Sequence, residues 1–280
     1  MNLAFSTLGC AGDPLDSVLE LANANGIAGL ELRAADDEFT NIGLTTAERR
    51  ELRQRIEDAG LEILAINSYV HLCGVGEQPL DAHLELANDL GARGVRAFMG
   101  DDSMRDDNVR DYSTRDDSTG EPTQDSPTLS SPTPGELRAM DRVATAPKDV
   151  HVLIETHDTH SSGRSVAAFC TWLDNAVPGH NAKVIWDAAH TWRTGESPAQ
   201  SLELLRPWLE FVQIKDNDSN QAFKPVAIGA GDYPIADLLA ALDGTDYWLS
   251  LEWERKWHPE LPPLAEALAA TRRWISGQPT

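Results

Sequence analysis

Glu155, Asp187, Gln213 and Glu252 each stand at or near the end of a short apolar run. The run Val152, Leu153, Ile154 stops at Glu155, and His157 and His160 follow at once. "AKVIWD" closes on Asp187, with His190 three residues on. "EFVQIKD" carries Gln213, then Lys215 and Asp216, and "YWLSLEW" carries Glu252, with Glu254 just beyond. An unpaired carboxylate in a buried strand costs on the order of several kcal/mol, so a metal, a cation or a set of hydrogen bonds must compensate it. Carboxylates gathered at one place also repel one another unless a cation sits among them. Glu, Asp, Gln and Glu are mostly hard oxygen donors. They suit one divalent ion, Mg²⁺ or Mn²⁺ first, with Zn²⁺ or Co²⁺ open if a histidine joins.

These side chains can meet only if their strands end side by side. Eight runs read as strands: 2–6, 28–33, 61–67, 94–99, 150–155, 182–187, 210–216 and 247–253. Amphipathic stretches lie between them. "PLDSVLELANANG" puts Leu15, Val18, Leu19 and Ala22 on one helical face and ends in Gly26. "TTAERRELRQRIEDAG" opens with Thr45 and Glu48 at capping-box spacing. Eight strand–helix units in 280 residues predict an α/β chain folded as one (β/α)₈ TIM barrel over 1–280. A doubly wound open sheet would alternate in the same way. The barrel is favoured because polar residues gather at the C-terminal ends of several strands, which share one face in a barrel.

Residues 101–135 break the pattern. They are rich in Asp, Ser, Thr and Pro and nearly free of large apolar side chains. That composition predicts a flexible acidic insertion after the fourth strand, either a surface excursion or a lid. The formal net charge of -22 disfavours nucleic acid and anionic membranes as partners. Three scattered cysteines, Cys10, Cys73 and Cys170, fit a reduced compartment. The start has no signal-peptide pattern and no apolar run approaches the roughly 20 residues of a span. A soluble, cytoplasmic protein is expected, of an oligomeric state that the chain does not specify.

"GLELR", "IETH", "WDAAH", "QIKDND", "GAGDYP" and "SLEWERKWHPEL" together resemble the xylose isomerase-like TIM barrels, the sugar phosphate isomerase/epimerase family, through most of the chain. The resemblance implies a metal held by Glu155, Asp187, Gln213 and Glu252, with Gln213 in the usual histidine place, a change shared with some dehydratase-like relatives. It also implies a small carbohydrate or polyol-derived ketone as substrate. Glu155 and Glu252 would be the catalytic pair that removes and returns an α-proton through an enediolate, and His157, His190 and Lys215 would bind hydroxyls or protonate a leaving oxygen. Isomerase or epimerase is the first expectation. A dehydratase or lyase of the inosose or 3-dehydroshikimate type is the alternative, and a non-catalytic sugar-binding barrel is a further one. The three-zinc endonucleases of the family need more histidines on strands two to four than His71 supplies.

Single residues have plainer readings. His160 reads as loop, and "GAGD" (229–232) as a turn before a helix near Pro234 or as a backbone anion site. Trp192, Trp253 and Trp257 read as packing or as the floor of a sugar pocket. Arg33 and Arg96 are weaker candidates for substrate contact.

Overall fold

Parallel strands in a closed barrel are buried on both faces, so they read as nearly continuous apolar runs. The computed structural model of the chain describes residues 1–101 and 131–277 and shows this arrangement. The strands are β1 (Leu3–Ser6), β2 (Gly29–Arg33), β3 (Glu62–His71), β4 (Gly94–Phe98), β5 (His151–Glu155), β6 (Ala182–Asp187), β7 (Leu209–Ile214), the short pair β8 (Asp216–Asp218) and β9 (Lys224–Val226), and β10 (Trp248–Leu251). Eight of them close in the order β1-β10-β7-β6-β5-β4-β3-β2, and β8 and β9 form a separate two-stranded sheet. All eight expected barrel strands are present, and the barrel is a single domain.

The helices are α1 (Leu15–Ala24), α2 (Thr46–Asp58), α3 (Leu80–Leu90), α4 (Pro134–Thr145), α5 (Gly163–Ala176), α6 (Ala188–Arg193), α7 (Pro198–Leu205), α8 (Ile235–Ala241) and α9 (Leu264–Ile275). Thr45 and Glu48 form the expected capping box at the start of α2. Thr133 and Glu136 do the same for α4, as Ser197 and Gln200 do for α7. The expected insertion over 101–135 falls mostly outside the described residues. Its last two residues, Pro134 and Gly135, instead open α4, because Thr133 caps the helix and proline is suited to its first turn.

The two-residue period of a strand sorts side chains between two apolar layers. Ala4, Leu153, Ile185, Phe211 and Trp248 pack as one small cluster that fills the barrel. Leu30, Val95, Val152, Val184, Val212 and Leu249 belong to the large cluster between strands and helices. Two glycines make the interior fit. A Cβ on Gly29 would lie 2.7 Å from the Trp248 ring, and one on Gly94 2.6 Å from Leu153 Cγ.

Several expected boundaries move, the eighth barrel strand ending at Leu251 rather than at Trp253. The seventh strand ends at Ile214 rather than at Asp216, which begins β8. The third runs on to His71, with a register irregularity between Asn67 and Val70.

Candidate metal centre and its cleft

Continuing the alternation upward from the apolar layer brings polar residues to the C-terminal mouth of the barrel. Glu155 ends β5 two residues after Leu153, and Asp187 ends β6 two residues after Ile185. Gln213 lies two after Phe211 on β7, level with Asp187 on β6 and Ser250 on β10. Glu252 follows β10, its N–H bonded to the Ile214 carbonyl. All four are buried, Glu252 the most exposed at 4%. Carboxylate oxygens of Glu155, Asp187 and Glu252 lie within 4.8 Å of one another.

Two basic side chains sit among these acids. Lys215 Nζ lies 2.8 Å from Asp187 Oδ2, 2.7 Å from Glu252 Oε2 and 2.6 Å from Glu254 Oε1. Arg96 Nη1 lies 3.3 Å from Glu155 Oε2 and 3.5 Å from Glu252 Oε1. Burial favours neutral Lys215, but the three carboxylates outweigh it and hold the ammonium well above its usual pKa. Burial likewise works against the Glu252 carboxylate, yet Lys215 and Arg96 hold it below its ordinary value. Glu155 is different. Burial raises it, Arg96 only partly opposes that, and Glu252 adds repulsion. Burial also raises Asp187, against Lys215.

The donor set fits a divalent ion. Asp187 spends Oδ1 on capping α6, accepting from the N–H groups of Ala189 at 3.0 Å and His190 at 3.2 Å. Its Oδ2 is thereby left for the mouth. Glu155 Oε2 and Gln213 Oε1 are buried with no hydrogen-bond partner among the described residues. Buried oxygens from three adjacent strands, balanced for charge among the described residues only by Lys215 at Asp187 and Arg96 at Glu155, are what an oxygen-loving cation needs.

A second group flanks this cluster. Ligand atoms of Glu155, His157 and His190 also come within 4.8 Å of one another. His157 Nδ1 is 2.6 Å from Asp158 Oδ1, which leaves Nε2 for the cleft. Asp158 adopts the left-handed backbone at φ 50 to make that contact. Burial lowers the His157 pKa, but the bond to Asp158 and its charge raise it overall. His190 goes the other way: burial and the positive charge of Lys215 push it well below the ordinary value. The two rings are 4.6 Å apart, and the Phe98 ring lies 4.5 Å from that of His157, tilted by 37°.

His157, His190 and Lys215 are therefore all at the mouth. Lys215 is there as a cation tied to the acids. His160 turns away to Glu136, 3.1 Å distant, as its loop reading expects. "GAGD" binds an anion that belongs to the chain itself. The Asp216 carboxylate accepts from the N–H groups of Gly229 at 2.8 Å, Gly231 at 3.0 Å, Tyr233 at 3.1 Å and its neighbour Asn217 at 2.9 Å. Trp257 lines the cleft. Trp253 is a packing residue whose Nε1 donates to the Pro262 carbonyl at 2.9 Å. Trp192 packs edge-on against Phe223 and Tyr233.

The residue that sequence reasoning missed is Glu31. It is fully buried inside the barrel, where its carboxyl is pushed up to about 7 by burial and by Glu252. Its signal was present: in "GLELR" it is the one acid in a strand buried along its whole length. Arg33, a weak substrate candidate, is tied to Tyr69, Asp37 and Glu38. The mouth opens into a cleft of about 900 Å³ lined by, among others, Tyr69, Phe98, His157, His190, Phe223 and Trp257.

The chain belongs to the xylose isomerase-like TIM barrel family, whose family model matches residues 19–276. A 3-dehydroshikimate dehydratase from Bacillus anthracis is 27% identical over 124 residues, 39% of this chain and 44% of that one. The aligned region thus spans less than half of that relative. Among solved structures, a probable 3-DHS dehydratase of petrobactin synthesis from Bacillus anthracis superposes at a TM-score of 0.71 with 18% identity, covering 98% of each chain. The zinc-bound IOLI protein superposes at 0.68 with 15% identity, covering 100% of each. D-psicose 3-epimerase crystallised with D-fructose does so at 0.67 with 14% identity, covering 99% of this chain and 100% of that one. At such identities these structures speak to the fold. Among the described residues, no helix is long and apolar enough to cross a membrane.

Proposed function

We propose that this chain is a divalent-metal-dependent enzyme acting on a small polyhydroxylated ketone. In this reading it removes the α-proton and eliminates water, as a dehydratase of the 3-dehydroshikimate type. Glu155, Asp187, Gln213 and Glu252 would hold the ion. When bound, it polarises the substrate carbonyl as a Lewis acid.

The observation that carries the choice of reaction is the unequal engagement of the two catalytic carboxylates. Glu252 accepts from Lys215 Nζ at 2.7 Å through Oε2 and from Arg96 at 3.5 Å through Oε1. Glu155 Oε2 meets only Arg96 among the described residues, in an ion pair at 3.3 Å without hydrogen-bond geometry, and has no lysine partner as Glu252 does. Two-base epimerisation needs an available base on each face of the substrate, and the imidazoles of His157 and His190 stand beside Glu155, with ligand atoms within 4.8 Å of it. Here one side offers Glu155 as base. The other groups within reach are imidazoles, and His157, oriented by Asp158, presents Nε2 to protonate a leaving hydroxyl. One base and one acid are the requirements of elimination. Glu252 then serves as ligand and charge balance rather than as the second base. The 27% identical dehydratase relative supports the same reading.

The test is turnover in D₂O with Mn²⁺, offering 3-dehydroshikimate in one arm and D-fructose or D-psicose in the other. The expected product is lighter than 3-dehydroshikimate by one water, and the ketohexoses stay unlabelled. A deuterated pair of ketohexose epimers would replace the dehydratase reading with an epimerase. Metal binding without turnover in either arm would leave a sugar-binding barrel. Glu155→Gln is expected to slow elimination by about 10²-fold or more, the usual scale for a general base.

A further inference from the structure

The Gln213 amide has one end that repels a metal ion and one that binds it, and nothing in its own backbone chooses between them. Inside the barrel, Gln213 Nε2 donates to Glu31 Oε2 at 2.8 Å. Asn67 Nδ2 donates to the same oxygen at 3.0 Å. Whether ionised or protonated on Oε1, which has no hydrogen-bond partner among the described residues, Glu31 offers Oε2 as an acceptor to both amides, so the end of Gln213 that faces it is the NH₂. The carbonyl oxygen is the end left over, and Gln213 Oε1 is buried without a partner among the described residues. At its level on the neighbouring strand stands Asp187, one of the three clustered carboxylates.

We infer that Glu31 is a positioning residue that selects the orientation of the Gln213 amide, so that an oxygen rather than an NH₂ group is presented to the metal centre. The inference rests on the metal centre proposed above. Groups behind a ligand that fix its orientation typically change metal affinity 10- to 100-fold when removed. Glu31 does so from across the barrel, 182 residues away in sequence.

The test is calorimetric titration with Mn²⁺ alone, paired with the melting temperature of each metal-free variant. Glu31→Met removes the acceptor while filling the space, and is expected to weaken Mn²⁺ binding about 10-fold or more. Glu31→Gln keeps an acceptor oxygen for Gln213 and should bind within about 3-fold of the wild type, a margin far below that loss. With Gln213→Glu, residue 213 presents an oxygen whichever way it turns. Adding Glu31→Met to that variant should therefore weaken binding no further. Equal losses in Glu31→Met and Glu31→Gln would show that the charge of Glu31 matters and its acceptor role does not, which overturns the inference. So would an equal cost of Glu31→Met with Gln or Glu at 213, or no cost with either. Should Glu31→Met not fold, Glu31→Gln carries the test, and a 10-fold loss there overturns it. A wild-type protein that binds no Mn²⁺ removes the metal centre itself, and this inference with it.

Discussion

Lys215 is the residue on which the charge balance of the mouth turns. Its ammonium is 4% exposed and contacts Asp187, Glu252 and Glu254 together. Arg96 supplies the second positive charge and lies across the face of Phe98, 4.6 Å from the ring centroid. Removing one partner of a buried charge cluster strands the others, at a cost of about 3–5 kcal/mol. Lys215→Met should lose that much stability in a urea titration of the metal-free protein. Because the stranded groups are the proposed ligands, Mn²⁺ should restore much of the loss. A variant as stable as the wild type without metal would mean that the carboxylates take up protons instead of relying on Lys215.

At the scale of elements, the rim beside the centre is organised by Asp216. The same β7 extension that delivers Lys215 to the mouth places the next carboxylate inside a cage of four backbone N–H groups. Those bonds tie the loop before α8 to the start of β8. The β8–β9 hairpin in turn carries Phe223, which packs against Trp192 and lies 4.3 Å from the Arg193 guanidinium. Its tip bends through two left-handed residues, Ala222 at φ 54 and Phe223 at φ 57, a conformation costly for side chains other than glycine. Hydrogen bonds to a charged acceptor contribute about 1.5–3 kcal/mol each, and leaving buried N–H groups unpaired costs more. Asp216→Ala is therefore expected to destabilise the protein by at least about 3 kcal/mol in denaturant unfolding. It should also raise hydrogen exchange at Gly229, Gly231 and Tyr233 before exchange rises in the barrel strands. Unchanged protection at those amides would remove Asp216 as the anchor.

For the molecule as a whole, the proposed centre links metal binding to barrel stability, because its ligands come from β5, β6 and β7 and from the residue after β10. An ion that binds only the folded chain stabilises it by about 2.7 kcal/mol at a concentration one hundred times its Kd. Calorimetric melting should show a rise of that size with Mn²⁺, reversed by a chelator. Asp187→Ala should melt at the same temperature with and without the ion. An equal Mn²⁺ response in that variant would place the ion elsewhere on this acidic surface, whose net charge is -22.

Hydrophobic patterning by itself marked the eight strands, and the polar residues at their C-terminal ends favoured a barrel over an open sheet. A strand buried on both faces must be a short apolar run, so each run marked its strand, and a polar residue closing a run marked the mouth. Glu155, Asp187, Gln213 and Glu252 were legible for that reason, as was the Thr45–Glu48 capping box, which is a local pattern. What tertiary structure decided is which charges meet. Arg96 reaches Glu252 across 156 residues, and Gln213 reaches Glu31 across 182. Such contacts depend on barrel closure and on the register between strands, which no local spacing encodes. "GAGD" shows the same limit. It reads as a turn before a helix or as a backbone anion site; it is the turn before α8, and its amides enclose Asp216, brought there by the fold of the hairpin. The periodicity of a strand tells which way a side chain points. Only the closed barrel tells what it points at.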